Sequence, residues 1–355
     1  MSSQTRKNEQ CLLVFTGYNP RGVISFLRVI ARLDIKAFLV ARDSQDIIFR
    51  TKYADQVALV RDSPLVDLSL FQKIRSKVQH RAYSPDLLVV PSTEYLNRFV
   101  LSHRESLEQM GFFSPLCEKS VYEAISDKAT FGELCEDAGI LVPVTLNLSE
   151  KLTFPAVAKP IRYAGPGSGD LVRPMIVHNS ADLMSLLRSH KRESFFLQEY
   201  IQGHSYYLLF YISKNGTCYS YSQENIVQQM GGGSMLVSKP SHIHEGFLAE
   251  DFVRLFHSLR FFGLVMVEVR GKGRDISMIE ANPRIWGPSQ LLIDNCVPFF
   301  ELFCIDNGFD IQLGTQPLLF DYYYVWRSGF SDLRGAEIIH NEAEWDRFRS
   351  SEVPE

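Results

Sequence analysis

Glu280, Asn282 and Arg284 stand two residues apart in the stretch SMIEANPRIWGPS, residues 277–289. Side chains two apart on an extended strand share a face. A carboxylate, a carboxamide and a guanidinium therefore converge until Pro283 bends the chain. The same segment closes a hairpin, GLVMVEVRGKGRDISMIEANP, expected to turn at Gly271–Gly273. Leu264, Met266, Glu268 and Arg270 share one face of its first strand, and Met278, Glu280 and Asn282 one face of its second. The turn near Lys272 brings Glu268 and Glu280 side by side across the ladder. Two bare carboxylates there would repel. A divalent cation removes that penalty, and oxygen-only donors suit hard Mg²⁺, which commonly bridges to substrate phosphates. Arg284 would then offer a two-pronged fork to the same phosphates. A solvent-facing polar stripe with ordinary cross-strand pairs fits these residues as well.

Lys159 ends the apolar strand FPAVAKP on the face of Val157 and Pro155. Such a lysine either snorkels to solvent or meets an anion. The glycines of IRYAGPGSGD follow it, and allow close backbone approach to phosphates or a simple mobile turn. No G-K-[ST] follows, so this is not a Walker A loop. Lys128 opens a helix, where it is either solvated or a ligand contact. FFLQEYIQG offers backbone donors and acceptors, with apolar neighbours able to wall a planar base; a plain buried strand reads the same. GGGS, residues 231–234, either covers a second substrate or is a plain loop. His242 and His244 form H-x-H with no third ligand at a telling spacing, and no G-x-S-x-G marks a nucleophile elbow.

These groups need a scaffold. The 355 residues suffice for two or three domains. A net charge of −4 argues against broad nucleic-acid binding. The 6 cysteines include no C-x-x-C pair and read as reduced core residues of a cytoplasmic protein. MSSQTRKNEQ is polar with no apolar h-region behind it, so no secretory signal is expected. No run approaches a membrane span, so no membrane partner is expected.

CLLVF, KAFLVA, QVALV and DLLVVP are strands alternating with helical patterns around Val23–Ile30 and Leu96–Met110, which implies a mostly parallel sheet. Ser126 or Asp127 caps a helix that Gly139 stops. A glycine-rich hairpin over 162–177, a helix around 181–190 and the strand SFFLQEYIQG follow. Asn215-Gly216 turns a further hairpin, MGGGSMLV reads as a flexible loop, and the tail from FDYYYVWRSGF is weakly patterned.

In order, a DK…AGI.VP helix, a strand ending in lysine, a glycine-rich hairpin, QEYIQG and VEV…IEANPRIWG resemble the ATP-grasp superfamily. The likeness is nearest to its carbamoyl-phosphate-synthase-like, carboxylate–amine ligase branch, over about residues 11–305. The resemblance implies an α/β chain with an N-terminal parallel-sheet (pre-ATP-grasp) domain, 1–118, and a two-lobed α+β ATP-grasp domain. The lobes would be 119–200, with a glycine-rich lid, and 201–310, with the metal site; 311–355 is an extension of unassigned role.

It also implies roles. Lys128 and Lys159 would contact ATP phosphates, with Lys159 and Arg284 catalytic. Gln198, Glu199, Tyr200 and Ile201 would form the cofactor-binding strand, its backbone from Glu199 to Ile201 reading the adenine edge. The loop 163–169, with Gly165, Gly167, Ser168 and Gly169, would close over the nucleotide. Glu268, Glu280 and Asn282 would bind Mg²⁺, with Mn²⁺ able to substitute. Where many relatives carry a ribose-binding acid, this chain has His204-Ser205-Tyr206, so the ribose contact is unassigned. The implied function is an ATP-dependent ligase that activates a small-molecule carboxylate as an acyl phosphate and joins it to an amine, as a monomer or homodimer. Alternatives are another acceptor, bicarbonate as the acid, or a non-catalytic nucleotide sensor. The acceptor pocket would lie in loops such as 18–22, 92–97 and 231–236.

Overall fold

The structure, a computed structural model, describes residues 10–79, 84–148, 151–161, 173–230, 233–314, 316–320, 322–331 and 338–350. β1 (Gln10–Phe15) is buried from Cys11 onward. Such an unbroken apolar run is what a strand covered on both faces requires. β1 pairs in parallel with β2 (Ala37–Ala41) and β4 (Asp86–Val89). β3 (Val57–Val60) and β5 (Phe112–Phe113) complete a parallel sheet in the order β3-β2-β1-β4-β5.

The pattern over Leu96–Met110 forms two helices rather than one, Glu94–Ser102 and Arg104–Gln109. His103 breaks them: its backbone lies at φ −123°, ψ 23°, and its N–H still donates to the Phe99 carbonyl at 3.1 Å.

Asp127 caps the helix Lys128–Asp137 by accepting from the N–H groups of Ala129 and Thr130, and Gly139 follows it at φ +76°. Beyond lies an antiparallel sheet of β6 (Thr145–Leu146), β7 (Ala156–Pro160), β8 (Met175–Val177) and β9 (Phe195–Glu199), ordered β6-β9-β7-β8.

The third sheet holds β10 (His204–Ile212), β11 (Cys218–Gln228), β12 (Met235–Ser241), β13 (Gly263–Lys272) and β14 (Asp275–Asn282). β15 (Tyr324–Val325) and β16 (Ile338–Ile339) join β12 and β11. Two expectations change here. MGGGSMLV is not loop throughout, because Met235, Leu236 and Val237 are buried in β12. The weakly patterned tail is part of the fold: Trp326, Phe330, Trp345 and Phe348 pack on Ile226, Val227, Leu236 and Val237.

The parallel sheet and the third sheet share a core. Phe26, on the helix Pro20–Arg32, meets Phe300 and Phe303 edge-on at 5.2 and 5.9 Å. The segment after β14 is tied down as well: Asn19 Nδ2 donates to the Ile285 carbonyl at 2.9 Å, and the Ile285 N–H donates to Pro91 at 3.0 Å. No helix among the described residues is long and apolar enough to cross a membrane.

Phe26→Ala is expected to cost about 3–5 kcal/mol, read as a lower urea midpoint. A loss well under about 1 kcal/mol would mean that this aromatic joint does not hold the two sheets together.

Candidate active site

The hairpin of β13 and β14 sets Glu268 directly opposite Glu280. The next pair is Val269 with Met278, so Ile279 is an extra residue in β14. This bulge corrects one expectation. Met278 does not share a face with Glu280; it packs in the core with Val267, Val269 and Ala281. The bulge has a second effect, since extra residues drop out of the ladder: the Ile279 carbonyl accepts the Lys159 ammonium at 2.8 Å.

Each carboxylate has its own cation. Arg270 donates to Glu268 Oε1 at 3.0 Å, and the Lys128 ammonium binds Glu280 Oε2. Ser205 Oγ also donates to Glu268, and is itself held by Asn225 at 3.0 Å. Asn282 Nδ2 donates to Glu280 at 2.8 Å, and Arg284 donates to Asn282 Oδ1 at 2.8 Å. Burial raises the Glu268 carboxyl above the ordinary range, against Arg270 and reinforced by the Glu280 charge. Burial also pushes the Glu280 carboxyl up, but Lys128 and Asn282 outweigh it and hold the group low. Lys159 is 5% exposed. That burial, with the charge of Lys128, pushes its ammonium down to about 7.

Lys159, Glu268, Arg270, Glu280 and the β9 exit Glu199, Tyr200 and Ile201 line one narrow pocket, walled by Val157, Ile176 and Ile338. The Glu199 N–H donates to the Val144 carbonyl at 3.0 Å. Gln198 is not in the pocket: its amide donates to the Pro143 carbonyl at 3.0 Å. Lys128 is not in its wall either, and reaches the site through Glu280. Gly165, Gly167, Ser168 and Gly169 lie outside the described residues. In place of the ribose-binding acid, Ser205 braces Glu268 and His204 Nδ1 lies 2.9 Å from Glu224.

A larger cleft of about 640 Å³ adjoins. Glu280, Asn282 and Arg284 border it, with Tyr18–Arg21, Thr93–Tyr95 and Gly233–Met235. The three loops picked out for an acceptor thus line one space. Glu280 belongs to both cavities. Sequence reasoning gave no role to Arg270, although it stands two residues from Glu268 on one face. It also missed Arg173, Trp326 and Ile338, which reach the cavities through tertiary contacts alone.

No protein-family model matches the chain, and no curated protein matches it in sequence. Solved structures match it in fold. Biotin carboxylase of Campylobacter jejuni, complexed with β,γ-ATP, is 12% identical with a TM-score of 0.65, over 89% of this chain and 74% of that one. The biotin carboxylase domain dimer of Hydrogenobacter thermophilus 2-oxoglutarate carboxylase, with MgADP, ADP and bicarbonate, is 14% identical at a TM-score of 0.63, covering 88% and 73%. N5-carboxyaminoimidazole ribonucleotide synthetase of Thermotoga maritima is 15% identical at 0.56, covering 88% and 78%. The chain therefore has the ATP-grasp fold that its motif order implied.

The Lys159 shift gives a sign to nucleotide binding. An ammonium with a pKa near 7 is largely neutral at about pH 8, and a polyphosphate beside it favours the charged form. ATP should bind with proton uptake at about pH 8, and with little at about pH 6. Calorimetry in buffers of different ionisation heat reads this, and Lys159→Met should abolish it. Buffer-independent heats at both pH values would contradict the assignment.

Proposed function

We propose that this chain is an ATP- and Mg²⁺-dependent ligase that activates a small-molecule carboxylate as an acyl phosphate and joins it to an amine. The observation that carries the reading is Glu280, which stands opposite Glu268 and borders both the narrow pocket and the large cleft. The base would enter the narrow pocket against Val157, Ile176 and Ile338, its edge on the Tyr200–Ile201 backbone. The phosphates would run past Lys159 toward Glu280. Two carboxylates and a carboxamide oxygen form a donor set that fits a hard divalent cation. Glu268, Glu280 and Asn282 would hold Mg²⁺, which would neutralise polyphosphate charge.

In the first step a substrate carboxylate oxygen attacks the γ-phosphorus, and the bond to the β–γ bridging oxygen breaks, giving acyl phosphate and ADP. In the second, the amine attacks the acyl carbon, phosphate departs with the former carboxylate oxygen, and the amine loses a proton. Lys159 and Arg284 would act by placing positive charge at the transferring group. No protein nucleophile is required.

In this reading residues 1–118, 119–200 and 201–310 are the pre-ATP-grasp domain and the two ATP-grasp lobes. Among the described residues the 6 cysteines form no disulfide, which fits a reducing cytoplasm. Bicarbonate as the acid is a second reading, favoured by the bicarbonate-bound Hydrogenobacter neighbour.

Screening ADP release over paired acids and amines is the direct test. Release should need both members of a pair, and Glu280→Gln should lower turnover at least about a hundredfold. Full turnover by Glu280→Gln would sink the metal assignment. With ¹⁸O in the acid, label must appear in phosphate. The product mass separates an amide from a carboxylated amine.

A further inference from the structure

The large cleft carries more charge than the ligase reading uses. Its walls present Arg21, Arg173 and Arg284 against Glu94 and Glu280. Both carboxylates have partners of their own: Arg98 donates to Glu94 at 2.9 Å, and Lys128 binds Glu280. Among the described residues, none of the three arginines pairs with a carboxylate. Arg284 belongs to the Glu280–Asn282 group. Arg21 belongs to another.

The Arg21 guanidinium carbon lies 3.9 Å from the Trp326 ring centroid. It also packs against Gly287, where a Cβ would fall 2.7 Å from its NH2 atom. Arg21 NH1 donates to the Met235 carbonyl at 3.1 Å and to the Tyr324 hydroxyl at 3.3 Å. The Nε and NH2 edge has no hydrogen-bond partner among the described residues. A guanidinium fixed by stacking and by a glycine, with one donor edge open, is arranged for a planar or tetrahedral oxyanion. Holding it in advance lowers the ordering cost of binding.

We propose that the substrate taken into this cleft carries an anionic group beyond the reacting carboxylate, a second carboxylate or a phosphate, and that Arg21 binds it. Trp326 and Tyr324, from the C-terminal tail, position Arg21 and so set specificity. The inference rests on the ligase reading only in taking the cleft as the site of acid or amine.

The test measures thermal unfolding with MgADP present and matched probes added: glutarate against its monoamide, and O-phosphoserine against serine. Charged members should stabilise the protein more than their neutral partners. In Arg21→Gln the preferred charged member should bind about tenfold weaker or worse, and the difference within its pair should vanish. An unchanged MgADP shift in that variant shows that it folds. Trp326→Leu, which frees the guanidinium without removing it, should give a smaller loss. Equal stabilisation within both pairs, no stabilisation by either charged probe, or an unaltered preference in Arg21→Gln overturns the proposal. Discrimination by Arg21 without any ADP release would instead count against the ligase reading and leave this one standing.

Discussion

Two carboxylates facing each other across a β-ladder, Glu268 and Glu280, are the constraint around which the site is built. In a low-dielectric wall such a pair is costly unless positive charge or hydrogen-bond donors surround it. The chain supplies both from distant segments. Arg270 comes from the same strand as Glu268, Lys128 from a helix start, Lys159 from β7, and Ser205 from β10. Two amides, Gln223 donating to Asn225 and Asn225 to the Ser205 hydroxyl, run behind Glu268 and keep its brace in place. The two carboxylates are thereby pushed apart in acidity, Glu268 up and Glu280 down. An arrangement that kept only one of these cations would leave a buried charge unmatched.

The C-terminal tail enters the same network. β16 extends β11, and His340 donates through Nε2 to Gln228 Oε1 at 3.0 Å. Burial, aided by Arg270 and His204, pushes the His340 imidazole down to about 3, so the ring is neutral and one nitrogen is free to donate. Gln228 Oε1 also accepts from Arg270 at 3.3 Å, and Arg270 holds Glu268. The tail thus reaches one carboxylate through two side chains. By its other strand it reaches the cleft, through Tyr324 and Trp326. A segment that looks like an appendage in sequence contributes to both cavities.

The pairing of Glu268 with Glu280 was legible because a glycine turn between two strands fixes register. The parallel sheet was legible from unbroken apolar runs. The bulge at Ile279 was not, since nothing in SMIEAN marks an extra residue, and it reversed the expected side of Met278. The direction of the Gln198 side chain was not legible, because strand residues alternate between faces and its amide turns to Pro143. The helix break at His103 left the apolar spacing intact and so gave no signal. Two-residue strands such as β15 and β16 are too short for any period to show. Arg21 gave no sign of its setting, because Trp326 and Gly287 reach it only through tertiary packing.

The most direct measurement is the anomalous scattering of Mn²⁺ in crystals grown with ADP. The account predicts a peak within coordination distance, about 2.0–2.3 Å, of carboxylate oxygens from both Glu268 and Glu280, with Lys128 displaced from Glu280. A nucleotide bound with its Mn²⁺ peak away from these two residues, or with both carboxylates still closed on Arg270 and Lys128, would contradict it.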